Sequence, residues 1–123
     1  MTPTIRSQGF SITSPIRAHL ERRFTLALDE FSDRITRVNV FLKDINGAHK
    51  GGEDKSVLVH VQLPAQAPVT VETTSHDLYL AISLAARRTR RALFRSLRRQ
   101  QRFERAKVRR FRLPGSVDTA LSG

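Results

Sequence analysis

Residues 35–44 alternate, with Val38, Val40 and Leu42 on one side and Arg37, Asn39, Phe41 and Lys43 on the other. A period of two is the side-chain repeat of a β-strand, so this segment predicts a strand with one buried face. Val57, Val59, Val61 and Leu63 repeat the pattern. Between the two runs, residues 46–55 hold Asn46-Gly47 and Gly51-Gly52, a loop longer than a tight hairpin needs. Pro64 and Pro68 bracket a turn, and residues 69–74 predict a further strand. A short β-prone run, residues 4–10, stands at the start of the chain.

Elsewhere the period lengthens. Ile16, Leu20, Phe24, Ala27 and Phe31 recur at spacings of four and three and form one apolar stripe. Ser14, with Pro15 after it, is the expected N-cap of that helix. Leu78, Ile82, Ala85, Thr89, Leu93 and Leu97 make a second stripe, with Ser75 or Asp77 as its cap, and the core-facing part of this helix ends near Leu97. If it continues to Phe111 it is about 50 Å long at 1.5 Å per residue, more than a small domain can cover. Pro114, Gly115 and Ser116 end it.

The order is therefore β-α-β-β-β-α, an α/β (α+β) fold. A strand joined to the next through a helix implies a right-handed parallel crossover, and the following two strands add as hairpins. The expected architecture is a four-stranded sheet with both helices on one face and a long basic C-terminal helix. Residues 1–113 form one domain, with its core at about 4–99 and a basic helical extension at 100–113; residues 114–123 are expected to be a disordered tail.

Charge changes the picture. Residues 87–112 hold thirteen Lys or Arg and the single acid Glu104, whereas the rest of the chain is nearly neutral within a total of +11. A positive segment on a neutral body is the footprint of a protein that sits on phosphates. Arg87, Arg91, Arg95, Arg98, Arg102, Arg105 and Arg109 are spaced by three or four, with Arg88 and Arg99 on a second line. Solvated helix faces usually mix Glu with Lys, and like charges at this spacing each cost a few tenths of a kcal/mol, roughly what an opposite pair gains. An external polyanion compensates that repulsion. The preference for Arg over Lys favours structured RNA, because the guanidinium fork binds phosphate bidentately and stacks on unpaired bases. With no arginine-glycine repeat and no aromatic pair in an RNA-recognition arrangement, shape and phosphate recognition is the expected mode.

Other chemistries find little support. The chain has no Cys, which excludes disulfides and thiolate metal sites, and its N-terminus lacks the apolar run of a signal peptide. No apolar run reaches the ~20 residues that span a bilayer, so a soluble, cytoplasmic protein is expected. His19, His49, His60 and His76 lack metal-ligand spacing and read as ordinary surface or edge residues. There is no G-x-S-x-G elbow, P-loop or opposed carboxylate pair, and the glycine-bearing loop at 49–55 joins two strands where a phosphate cradle would open a helix. No enzyme activity, metal, cofactor or small-molecule substrate is expected. Asp77 is read as a first-turn acid, and Tyr79 as an aromatic that packs its ring and keeps its hydroxyl wet.

The opening strand, Ile12-Thr13 ahead of a helix, residues 38–42, the strand ending Val61-Gln62-Leu63 and above all Asp77-Leu78-Tyr79-Leu80-Ala81-Ile82 before a basic helix resemble the ribosome hibernation promoting factor family. That family includes the ribosome-associated inhibitor formerly called a sigma-54 modulation protein, and the similarity runs over roughly residues 5–99. The D-x-Y-x-A-I segment is its most specific part. The resemblance implies a monomeric, non-enzymatic domain that binds the small ribosomal subunit at the decoding region, overlaps the messenger and transfer RNA paths and holds idle ribosomes inactive under stress. Basic family positions that recur are Arg17 and Arg23 on the first helix and Arg88, Arg91, Arg95 and Arg99 on the second; with Arg87, Arg98 and Arg102 from the same basic helix they are the expected rRNA contacts. Ser83 stands where the family often has Asp, and Arg87 where it is commonly acidic. The stretch from Arg102 is longer and more basic than in the compact short form, and a C-terminal dimerisation domain of the long form is not expected. Other readings remain: a general basic nucleic-acid-binding protein that takes duplex DNA equally well, and an anionic-membrane helix offering only Phe103, Val108, Phe111 and Leu113 for insertion.

Overall fold

The structure is a computed structural model that describes residues 2–9, 11–45 and 54–111, with side chains described to residue 106. Packing divides the chain into two compact units, residues 1–93 and 94–123. The first unit holds strand β1 (Thr4–Gln8), helix α1 (Ser14–Leu28), a 3-10 turn (Asp29–Arg34), strands β2 (Arg37–Asp44), β3 (Lys55–Gln62) and β4 (Val69–Ser75), and the start of helix α2 (Leu78–Phe111). The sheet order is β1-β2-β3-β4. β1 pairs with β2 in parallel, and the other two pairings are antiparallel. The expected β-α-β-β-β-α fold is thus observed. The proposed glycine loop, the histidine at 49, the helix stop at 114–116 and the tail lie outside the described residues.

Alternation places Val38, Val40, Leu42, Val57, Val59 and Val61 on one face of the sheet, each no more than 1% exposed. They are covered by Leu20, Phe24 and Leu28 of α1 and by Ala81, Ile82, Ala85 and Leu93 of α2, all fully buried. The opposite face carries Arg37, Asn39 and Lys43 of β2, with Phe41 among them. One covered and one open face is the ordinary solution for a mainly antiparallel sheet.

Two local details differ from the sequence reading, and a third agrees with it. Thr13, not Ser14, is the N-cap of α1: its hydroxyl accepts from the Ile16 amide at 3.4 Å, and Pro15 sits within the first turn, where its missing N–H costs nothing. Second, α1 stops at Leu28, and Phe31 is buried from the tighter 3-10 turn. That segment, Asp-Glu-Phe-Ser-Asp-Arg, is rich in short polar side chains that compete for backbone hydrogen bonds, which weakens an α-helix there. Third, both candidate caps of α2 contribute: Asp77 Oδ1 accepts from the Tyr79 amide at 3.0 Å, and Ser75 Oγ accepts from the Asp77 amide at 3.2 Å. Asp77 thus fixes the start of the basic helix.

Where the chain leaves β1, Gly9 adopts φ +98°, and a Cβ added there would lie 2.9 Å from Asp44 Cβ. Asp44 in turn accepts from Lys55 Nζ at 3.3 Å, and Asp54 accepts from the same ammonium at 3.1 Å. The Asp54 hydrogen bond, then that of Asp44 and both carboxylate charges, raise the Lys55 pKa above its usual value against an opposing contribution from burial. A raised lysine pKa adds stability that is complete below the unfolded-state value and is lost only as pH rises through the folded-state one, so this cluster is insensitive to pH around neutrality. Gly9→Ala is expected to cost about 1–3 kcal/mol from backbone strain alone, more with the Asp44 contact, as read by urea denaturation.

Thr89 is fully buried on the core stripe and its hydroxyl has no hydrogen-bond partner among the described residues. Replacing an unsatisfied buried hydroxyl by a methyl group removes its desolvation cost. Thr89→Val is therefore expected to stabilise the protein by roughly 1 kcal/mol, visible as a higher urea midpoint at unchanged slope.

Candidate nucleic-acid interface

Helices α1 and α2 touch at two levels, which fixes how the arginines of the first unit are displayed. Near the start of both, His19 Nε2 lies 3.2 Å from the Tyr79 carbonyl oxygen and 3.3 Å from Ser83 Oγ, and its ring meets the Tyr79 ring edge-on at 5.0 Å between centroids. With the proton on Nε2, the ring donates to the carbonyl and the Ser83 oxygen is a second acceptor. His19 is thus a half-buried bridge between helices, not the ordinary surface residue read from the sequence. Its single-residue signal was too weak to show this.

Further along, Arg90 Nη1 donates to the Ala27 carbonyl at 2.9 Å, Nη2 pairs with Glu30 at 2.7 Å, and the guanidinium lies 5.4 Å from the Phe31 ring centroid. Ala27 sits in the last turn of α1, where carbonyls lack helical partners and the helix dipole favours a cation. Since the residue 19 level meets 79–83 and the residue 27 level meets 90, the helices run side by side in the same direction.

The basic residues sort by this geometry. Arg23 lies between the two contact levels of α1 and so stands alongside residues 83–87 of α2, next to the turn that carries Arg87. At about 100° per residue, Arg91 is on the side of α2 opposite the buried stripe, with Arg87 and Arg88 on its two shoulders. All four are exposed, and among the described residues no acid pairs with them. Arg17 is six residues from Arg23, about 120° away around α1, and its guanidinium is 3.9 Å from Glu21. It is therefore displayed apart from the others and is partly neutralised.

In the second unit Arg95, Arg98, Arg99 and Arg102 are exposed. Arg98 lies over the Phe94 ring at 5.6 Å, which restrains one guanidinium plane at the surface. Glu104, the single acid of the basic stretch, accepts from Gln100 Nε2 at 3.2 Å. Beyond Leu97 no described side chain is buried, as the sequence stripe implies. Among the described residues there is no helix long and apolar enough to cross a membrane.

A β-α-β-β-β-α body with an exposed arginine series on its helices matches a known family model across residues 4–101, that of the sigma 54 modulation protein / S30EA ribosomal protein. The chain belongs to that family. Among solved structures, a ribosomal subunit interface protein from Coxiella burnetii is similar in fold, with a TM-score of 0.65, 19% identity, and coverage of 78% of this chain and 97% of that one. The N-terminal domain of Protein Y from Thermus thermophilus is similar at a TM-score of 0.63 and 26% identity, covering 77% of this chain and 98% of that one. No curated protein matches the chain. Eight of the nine candidate arginines fall inside the family match, and Arg102 lies one residue beyond it.

Proposed function

We propose that the protein is a non-enzymatic ribosome-binding factor that occupies the decoding region of the small subunit, inhibits translation and stabilises idle ribosomes. It acts in the cytoplasm as a monomer. The observation that carries the reading is membership of residues 4–101 in the sigma 54 modulation protein / S30EA ribosomal protein family, joined to the exposure of its helix arginines. The name of the Coxiella protein, a ribosomal subunit interface protein, points the same way.

Arg23, Arg87, Arg88 and Arg91 of the first unit, and Arg95, Arg98, Arg99 and Arg102 of the second, contact rRNA phosphates; Arg17 adds a weaker contact because Glu21 competes for it. Each guanidinium presents a planar fork that fits two phosphate oxygens. Displayed at helical spacing within each unit, such forks recognise the spacing of a folded backbone, and the bound body excludes messenger and transfer RNA from the path it fills.

Co-sedimentation with isolated small subunits at near-physiological salt, with excess duplex DNA as competitor, tests the reading. Saturation near one copy per subunit that resists the DNA is the expected result. Diffuse binding that DNA removes would overturn it in favour of a general basic nucleic-acid-binding protein.

A further inference from the structure

The open face of the sheet is not polar throughout. Register places Arg6 of β1, Phe41 of β2 and Leu58 of β3 side by side in one row, and Asn39 beside His60 in the next. These residues, with Arg37 at the end of β2, line an open depression of about 430 Å³, within the roughly 300–1,000 Å³ typical of small-ligand sites. Phe41 and Leu58 are half-buried and form its apolar floor, while Arg6 and Arg37 are exposed at its rim. Thr70 lies 3.4 Å from His60 Nδ1, which orients the ring and leaves Nε2 as its other polar atom.

Charge on this face is also ordered. Arg6, Arg37 and Lys43 lie on β1 and β2, whereas the one carboxylate of the face among the described residues, Glu72, is on edge strand β4 and accepts from Ser56 Oγ at 3.3 Å. A half-buried aromatic ring, a half-buried amide and imidazole beside it, and guanidinium groups along one side are complementary to a nucleotide: a ring to stack on, polar edges to bond and phosphates to neutralise. A membrane would find too little apolar area here to insert.

We propose that this face is a second nucleic-acid site, which holds one unpaired base of single-stranded RNA stacked on Phe41, with its flanking phosphates on Arg6 and Arg37. Asn39 and His60 contact the base edge. The site is separate from the helix arginines and does not rest on their role. In the sequence a lone strand aromatic carries no such signal, because its neighbours come from three strands.

Hexaadenylate RNA titrated into the ¹⁵N-labelled full chain at moderately high salt tests the proposal. Amide shifts are expected at Arg6, Asn39, Phe41, Leu58 and His60, and Phe41→Ala is expected to weaken binding about 5- to 150-fold, the conversion of ~1–3 kcal/mol for one stacked base. Phe41→Leu keeps the apolar volume, so an equal loss there separates stacking from packing. The variant carrying Arg88→Glu, Arg91→Glu and Arg95→Glu is expected to retain the sheet response. Shifts confined to the helices, or wild-type affinity in Phe41→Leu, would overturn the site while leaving the ribosome reading intact.

Discussion

Reversing Arg88, Arg91 and Arg95 to Glu is expected to abolish binding to the small subunit and leave the fold unchanged. The three side chains are exposed, and among the described residues none has an acidic partner, so the native structure loses no ion pair when they change. Surface substitutions of this kind usually alter stability by no more than ~0.5 kcal/mol. Binding responds differently. Each charge-assisted contact to phosphate contributes about 1.5–3 kcal/mol, so losing three corresponds to at least a ~1,000-fold fall in affinity before the new repulsion is counted. The net charge also drops from +11 to +5, which weakens long-range attraction to rRNA. Sedimentation with small subunits reads the loss, and an unchanged urea transition verifies the fold. Retained co-sedimentation in a folded triple variant would sink the proposed contact surface. A milder form, neutralising Arg88 alone, should lower the slope of log affinity against log salt by about one phosphate's share, slightly under one.

Arg90→Ala should do the reverse, destabilising the protein by about 3 kcal/mol. The charged hydrogen bond to the Ala27 carbonyl is worth roughly 1.5–3 kcal/mol, and the contact with Phe31 about 0.5–1. The Glu30 pair adds at most ~1, because its side chains are 43% and 58% exposed and water screens them. These contributions share one guanidinium and do not add fully. Against a total stability of ~5–15 kcal/mol, the loss is large. Arg90→Lys is expected to recover only part of it, since one ammonium cannot serve the carbonyl, the carboxylate and the ring together. Urea denaturation of Arg90→Ala beside Arg91→Ala makes the contrast direct. Equal stability of the two variants would refute the assignment of Arg90 to the fold.

That contrast shows where sequence reading stops. Arg87, Arg88, Arg90 and Arg91 are one residue type within five positions, and nothing local distinguishes them. Arg90 is singled out because the end of α1, which is remote in sequence, brings a carbonyl, a carboxylate and a ring to it. His19 is a parallel case, since its partners lie sixty and sixty-four residues away. The cap of α1 failed for another reason. Ser14 and Thr13 are both good caps, and only the backbone turn at Thr13, extended at ψ 166°, decides between them.

The alternating and helical periods determined by themselves the order of the four strands and two helices, most residues of the core and the point near Leu97 beyond which no described side chain is buried, because burial on one face imposes its period directly on the sequence; the 3-10 turn after Leu28 was not among them. The clustered charge likewise pointed to a polyanion partner, since clustered like charge repels itself whatever the fold. Tertiary structure alone decided which arginine of a uniform run is structural, that His19 bridges the two helices, and that Arg6, Phe41, Leu58 and His60 meet on the open sheet face. These are relations between segments distant in the chain. No local pattern encodes them, because the partner that gives each residue its role is supplied only when the strands pair and the helices dock.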